Sequence, residues 1–466
     1  MLVDYGGVQD GVPGMVWGLM RTRCARLAYP FAEGLRVQAS LKPWQSWTLS
    51  ILLALIPLSL SIEQRIKALP VALAFIAGLW FVTTSAPTRR SYRYAWLVIA
   101  AALLPFGFIG LNVLIHQLGW RPMDRAAHIV LYLLIGATFT RALRLPVLWS
   151  GFSLSTIALG TVCLVQRYGQ GIARAYGLNG GPSASIEFAT LLLGLSLVAL
   201  SRLLDQRTGR AERVLHIIAM AFGMYGALLT QSRGPLLAFA PAFALLVLLH
   251  ARRSGHWRAG ILLIVGACVA AALATFTVHD EMTERFAAIG PEVATFDQHH
   301  DAYGAVRERL EMWRTAGRAI AAHPLAGIGI GEFSGYVDAE IAAGRSNPSI
   351  GLYNQPHNEY LEAAATGGIP GLLVLLATFL LPLSYFARHV RDVDEAVVMP
   401  ASAGLAVVTL YMLCALTDSV FYRVMPQSFY FFITLGMALL IARQRSASGA
   451  VDCGRVRADP RQELVR

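Results

Sequence analysis

The sequence predicts an all-α integral membrane protein of about 12 transmembrane helices, with one long, partly helical loop on the outer face. Three observations carry this. Of 466 residues, 56% are hydrophobic and only 14% are charged, against about a quarter charged in soluble globular chains. Mean hydropathy is +0.53. Most of the chain falls into apolar runs of roughly 17–22 residues, each long enough to cross a hydrocarbon layer about 30 Å thick. A transmembrane β-barrel would instead alternate every second residue over about ten positions. That pattern is missing, and a soluble enzyme fold and a disordered chain are excluded with it.

The elements follow in order. Residues 1–45 form an N-terminal tail without the compact charged, apolar and small-residue pattern of a signal peptide, so targeting falls to the first span. Residues 46–278 hold nine spans, near 46–62, 68–86, 94–115, 126–142, 147–165, 184–204, 214–231, 234–250 and 259–278. Residues 279–366 form the long loop. Residues 367–442 hold spans near 368–387, 397–417 and 427–442, and 443–466 form a C-terminal tail. The tails and even-numbered loops carry 25 of the 39 Lys and Arg, among them Arg89, Arg90, Arg93, Arg202, Arg207, Arg210 and Arg213. The odd-numbered loops carry 14, six of them in the long loop, which is too long to count in the orientation rule. Both tails are therefore expected in the cytoplasm and the long loop outside. This asymmetry accounts for much of the net charge of +11 without invoking nucleic acid. Cys163, Cys268 and Cys414 lie in apolar spans and Cys24 and Cys453 in the basic tails, so no disulfide framework is indicated.

A loop of about 88 residues is unlike mere connection. It carries 13 acidic and 6 basic residues, with a helical pattern near 303–322. Val306, Leu310, Trp313, Gly317 and Ile320 form one apolar stripe. Arg309 lies on one flank, about 70° from the stripe centre, and Arg307, Arg314 and Arg318 lie on the other. The helix is expected to end at His323-Pro324, before a turn containing Gly327, Gly329 and Gly331.

Several residues have the chemistry for a site. Arg233 sits in Gln231-Ser232-Arg233-Gly234-Pro235, where Gly-Pro stops one helix and starts the next. Snorkelling to lipid phosphate is one role for such an arginine. Bidentate grip of a substrate phosphate is the other, and the rigid turn favours it. Arg174 lies on another outer loop, and with Arg233 and Arg309 it could form a cationic pocket for a diphosphate. One arginine would hardly neutralise a dianion in a low-dielectric site. Arg314 is a further candidate for that diphosphate, although it and Arg318 read more readily as ordinary solvated charges. His357, in Pro356-His357-Asn358-Glu359, precedes a helix with Asn358 as N-cap. It is either a structural hydrogen-bonding residue or a general base. Asp297-Gln298-His299-His300-Asp301 lacks the spacing of a zinc or calcium site, so no metal is expected. Gly327–Gly331 is not a dinucleotide fingerprint, and proline excludes Asn347-Pro348-Ser349 as a glycan acceptor. Glu187 and Asp418 stand near outer span ends, either on a pathway or simply at the boundary.

Taken in sequence, these residues resemble a known family. The order is Ser-Arg-Gly at 232–234, Arg309-x-x-x-Trp313, His-Pro-Leu-Ala-Gly-Ile-Gly at 323–329, His-Asn-x-x-Leu-Glu at 357–362 and Gly-Gly-Ile-Pro-Gly-Leu-Leu at 367–373. It is similar to the O-antigen ligase/polymerase superfamily of bacterial polytopic membrane glycosyltransferases, best over 170–375. The resemblance implies a metal-independent C-type transferase of lipopolysaccharide assembly, needing no cofactor, in the inner membrane with a periplasmic site. It implies a glycan on undecaprenyl diphosphate as donor and a sugar hydroxyl of lipid A–core as acceptor. Carried over by motif, Arg233 and Arg309 would bind the diphosphate and His357 would take the acceptor proton, with Arg174 matching a looser pattern. An O-antigen polymerase or protein O-oligosaccharyltransferase would share these parts. A transporter or flippase should place its ionisable residues at mid-membrane, unlike the cluster read here.

Overall fold

The computed structural model describes residues 41–62, 64–178, 180–275, 287, 289–294, 296 and 304–455. Among them the regular structure is helical and contains no strand. The helices are α1 (Pro43–Ser59), α2 (Gln64–Thr84), α3 (Ala86–Tyr94), α4 (Trp96–Ile115), α5 (Arg121–Gly136), α6 (Leu145–Leu164), α7 (Ser185–Leu203), α8 (Arg210–Leu229), α9 (Arg233–Ser254) and α10 (Trp257–Thr275). They continue as α11 (Ile289–Ala294), α12 (Ala305–Ala322), α13 (Phe333–Ala342), α14 (Glu359–His389), α15 (Glu395–Cys414) and α16 (Val424–Arg455).

A helix stands at each position where an apolar run predicts one, but twelve spans are not confirmed. Eight helices among the described residues are long and apolar enough to cross a membrane, or up to nine counting the bent pair α2–α3 as one span. The shortfall has local causes. Helix α1 has only 17 residues, α5 begins with Arg121, Asp124 and Arg125, and the described apolar part of α10 is short. The basic stretch after α2 is also more than a loop. It forms α3, bent 97° from α2 and started by Ser85, whose side chain accepts from Thr88 N.

Helices α7, α15 and α16 form the centre of the bundle, buried over 83%, 78% and 89% of their apolar windows, whereas α4 is buried over 28%. Their interior is aromatic: the rings of Phe379, Tyr411, Phe421, Tyr430 and Phe431 pack on one another. The two buried phenols are satisfied by carbonyls, Tyr411 donating to Pro426 O and Tyr430 to Thr378 O. A buried hydroxyl without such a partner would cost several kcal/mol in an apolar medium.

One end of the bundle carries a small lobe, residues 304–358, with its own core of Met312, Ala316, Phe333, Val337, Ile350 and neighbours. Here the sequence-based register of α12 needs correction. The face that packs inward is Glu311, Met312, Thr315, Ala316 and Ala319, while the expected stripe is only half-buried and Gly317 is exposed. Polar partners turned the helix. Thr315 Oγ1 bonds Ser346 Oγ at 2.8 Å, and Arg318 Nε donates to Glu340 on α13 at 2.8 Å. Arg318 is therefore a latch between α12 and α13. Arg345 joins it on Glu340, and together Arg345 and Arg318 hold that carboxyl below the usual range against its own desolvation.

The two Gly-rich motifs are halves of one junction between lobe and bundle. Helix α14 breaks at Gly368 (φ 65°, ψ −165°), and segment 324–329 lies in the break. Ile328 N and Gly329 N donate to Ala365 O and Thr366 O, and Ile369 N donates to Pro324 O. A Cβ on Gly327 would stand 2.3 Å from the Thr366 carbonyl carbon, and one on Gly368 would stand 2.7 Å from that of Leu325. Glycine is needed on both sides because two backbones touch there.

Candidate active site

At the lobe end, short turns bring several of the predicted residues toward one another. Gln231 takes a left-handed backbone (φ 52°), ending α8 and letting α9 begin at Arg233, after Ser232 as N-cap. The Arg174 loop is stitched onto this turn. Arg174 Nε donates to Thr230 O at 2.9 Å, its Nη2 lies 3.4 Å from Ser232 Oγ, and Gln231 Nε2 donates to Ala173 O. Arg174 and Arg233 thus flank the same turn. Behind it, a Cβ on Gly234 would meet Thr417 Oγ1 at 2.3 Å, so the start of α9 packs directly on the turn after α15.

That turn holds Asp418, and Asp418 is the partner of His357. The His357 Nδ1–Asp418 Oδ1 distance is 2.9 Å, with side chains 21% and 12% exposed. An ionised carboxylate can only accept. Nδ1 therefore carries the proton in the neutral ring, which leaves Nε2 as the acceptor. His357 itself has φ 50°, a region costly for residues other than glycine and frequent at functional sites. The strain is held from both sides. Asn358 caps α14 by accepting from Tyr360 N and Leu361 N, and Asn358 Nδ2 donates to Leu416 O. On the same strand of contacts, Glu359 N donates to Ala415 O and Phe421 N to Glu359 Oε2.

The lobe reaches the dyad through α12. Trp313 Nε1 donates to Pro356 O at 3.0 Å. Tyr353 packs edge-on against His357, 5.6 Å between ring centroids, and donates to Glu308 at 2.5 Å. Burial, then Glu308, push the Tyr353 phenol up to about 12, so it stays a neutral donor. Arg309 follows Glu308 and lies about 40° from Trp313 around the helix at 100° per residue. It is therefore on the side of α12 that meets the His357 loop. Arg314 is not brought there. About 140° from Arg309 by the same count, it lies over the Phe296 ring at 4.5 Å and 3.9 Å from Glu311.

The cleft beside the dyad is lined by Ser183, Glu187, Gln355, His357, Asp418 and Arg423, among others, and neither Arg233 nor Arg309 is part of that lining. Glu187 pairs with Arg423 at 2.7 Å, so it is a structural anchor of the wall. Asp418 had no distinguishing mark in the sequence beyond its place near a span end, because its partner lies 61 positions away. Gln355 and Tyr353 likewise lacked a pattern. No group of three or more His, Cys, Asp or Glu side chains suited to a metal occurs among the described residues, and 297–301 lie outside them.

Comparison with known proteins bears on part of this region. Residues 217–376 match the family model described as O-antigen ligase, a stretch that contains the Arg233 turn, α12, the Gly-rich junction and His357. An uncharacterized protein of Haemophilus influenzae (strain ATCC 51907 / DSM 11121 / KW20 / Rd) is 18% identical over 351 residues, covering 74% of this chain and 86% of the relative. The matched segment and the motifs within it are similar to the O-antigen ligase family and support a place for the chain in the O-antigen ligase/polymerase superfamily.

Proposed function

We propose that this protein is an O-antigen ligase, transferring a glycan from undecaprenyl diphosphate to a sugar hydroxyl of lipid A–core without a metal or other cofactor. The observation that carries the reading is the His357–Asp418 dyad at the cleft, next to the Arg174–Arg233 turn. In this mechanism His357 Nε2 takes the proton of the acceptor hydroxyl as that oxygen attacks the anomeric carbon from the face opposite the leaving group. The new glycosidic bond forms while the bond to the diphosphate breaks, and its electron pair leaves on the diphosphate. Asp418 stabilises the imidazolium that results. Arg233 and Arg309, with Arg174 supporting, meet the charge developing on the diphosphate. Arg314, stacked away from this group, is left out of the clamp.

The lobe end is assigned to the periplasm of a bacterial inner membrane, with both termini cytoplasmic. The concentration of Arg89, Arg90, Arg93, Arg207 and Arg253 at the opposite end supports this. An O-antigen polymerase or protein O-oligosaccharyltransferase would use the same groups with another acceptor. A transporter is disfavoured because the dyad and arginines gather at helix ends.

The test is reconstitution in detergent with lipid-linked donor and purified lipid A–core. Formation of the joined glycolipid supports the ligase. Growth of the glycan on the carrier lipid instead would reassign the protein as a polymerase. Any product formed in detergent excludes transport as its source, since detergent leaves no compartments, and failure of transfer to lipid A–core, to carrier-linked glycan and to a protein acceptor alike would overturn the enzyme reading.

A further inference from the structure

A groove of about 920 Å³ opens between α1 and α2, within the range of about 300–1,000 Å³ usual for ligand sites. It lies at the end of the bundle away from the lobe. The start of α3 lines it through Ser85, Ala86 and Pro87, and the other end of α3 brings the Tyr94 hydroxyl to 3.2 Å from His389 Nε2. His389 ends α14, the helix whose first turn meets the lobe. The groove is therefore remote from His357 and its neighbouring arginines.

Its shape is that of a slot for a hydrocarbon chain. Along α2 the lining runs from Leu73 to Thr84, about 16 Å at 1.5 Å per residue, and so roughly one leaflet of a hydrocarbon layer about 30 Å thick. The walls include Leu49, Leu52, Leu73 and Ile76, with Trp44 on α1 and Trp80 on α2 exposed to 62% and 64%. Such a lining alone would accept any acyl chain.

The mouth of the groove is selective. Arg141, in the turn after α5, lines it and is half-buried there, its guanidinium 4.2 Å from the centre of the Phe81 ring. Burial desolvates this charge and no carboxylate among the described residues offsets it, yet an arginine keeps its proton. The turn is fastened to α1, with Ser46 Oγ donating to Ala142 O and Arg144 N donating to Ser50 Oγ at 2.8 Å. Lys42 at the start of α1 and Arg144 at the start of α6 add positive charge at the same end. The acids of 41–145 are Glu63, which precedes α2, and Asp124, which opens α5. In sequence both belong to the opposite ends of those helices.

We infer that this groove holds an anionic glycerophospholipid, with one acyl chain between α1 and α2 and the phosphate on Arg141. Charge complementarity commits it to that occupant. A phosphate is the partner a guanidinium fork takes bidentately. A headgroup of net negative charge also gains from Lys42 and Arg144 an attraction that a zwitterionic headgroup lacks. The bound lipid then ties α1 and α2 to the turn after α5.

The test titrates full-length protein in a neutral detergent with phosphatidylglycerol carrying brominated acyl chains, which quench nearby tryptophan fluorescence, and in parallel with brominated phosphatidylcholine. Phosphatidylglycerol should quench at about tenfold lower concentration, and that selective quenching should vanish when Trp44 and Trp80 are both replaced by Phe. Arg141→Gln should bring phosphatidylglycerol to the potency of phosphatidylcholine. Thr48→Phe supplies a second variant that does not depend on how Arg141→Gln folds. Thr48 lines the groove and its hydroxyl bonds the Trp44 carbonyl of its own helix, so a ring there blocks the chain without breaking a bond between helices. It should weaken phosphatidylglycerol about tenfold. Equal potency of the two lipids on the wild type would mean ordinary boundary contact and overturns the site. Selectivity that survives both Arg141→Gln and Thr48→Phe overturns it as well, and so does selective quenching that persists without Trp44 and Trp80. None of these readouts is glycan transfer, so their outcome is independent of the transferase reading.

Discussion

Replacing Asp418 with Asn tests the dyad most directly, because the change preserves shape and removes only charge. The wild-type contact is 2.9 Å and the Asp418 side chain is 12% exposed, so water cannot easily replace the carboxylate. A hydrogen bond to a charged group is worth about 1.5–3 kcal/mol, and in catalysis this one strengthens as His357 gains its proton. An amide can also donate to Nδ1, which would move the ring proton to Nε2 and block proton acceptance. Together these predict a fall in kcat of about 10²-fold, equivalent to roughly 2.7 kcal/mol of barrier. Donor KM should hardly move, because the arginines are not touched. The assay is steady-state transfer by purified protein, with His357→Ala and the double variant alongside. Residues that act as one unit are non-additive, so the double variant should be no slower than His357→Ala. Near-normal kcat in Asp418→Asn, or losses that multiply in the double variant, would refute the dyad as the base.

Arg233→Ala and Arg309→Ala should each abolish transfer while the protein still inserts and elutes as a single species, and Lys at either position should restore little, since an ammonium lacks the bidentate fork; full activity in both Ala variants sinks the clamp. Gly327→Ala and Gly368→Ala should each cost roughly 2–5 kcal/mol from positive φ and backbone overlap, read as a lower unfolding temperature, and unchanged stability would refute the junction. Glu340 has a depressed carboxyl pKa, so its contribution to the lobe is fully present above the unfolded value of about 4.3 and is lost as pH falls through the lower folded value. Hydrogen exchange of α12 and α13 should therefore accelerate at acid pH in the wild type and already be fast at neutral pH in Glu340→Gln. Treatment with chelator should leave transfer intact, and a loss reversed by zinc or magnesium would return attention to 297–301.

Much of the architecture was legible because membrane helices announce themselves by length and apolarity. Each apolar run became a helix, and Asn358 capped α14 where its side-chain chemistry required. What escaped was what depends on contacts distant in sequence. The inward face of α12 is set by Ser346 and Glu340, which reward Thr315 and Arg318, so the apolar pattern alone pointed to the wrong side. Asp418 read as a boundary acid because nothing in its neighbourhood mentions His357. Arg174 was the weaker candidate by motif, yet it is tied to the Arg233 turn by hydrogen bonds to Thr230 and Ser232. Arg314, grouped with it by charge, faces another way because helical geometry separates it from Arg309.

The same contacts explain why the Gly-rich motifs accompany the histidine. His357 is held in a left-handed conformation only because the start of α14 is fixed at both ends of its first turns, by the 415–421 turn on one side and by segment 324–329 in the break at Gly368 on the other. Segment 324–329 continues from α12, the helix that carries Arg309 and whose Trp313 grips Pro356. The junction therefore sets the distance between Arg309 and His357, although its glycines are themselves buried between two backbones. A residue that merely filled the break would alter catalysis by moving α12 relative to His357. The loss in such a variant should accordingly fall on kcat, and it should exceed what the unfolded fraction explains.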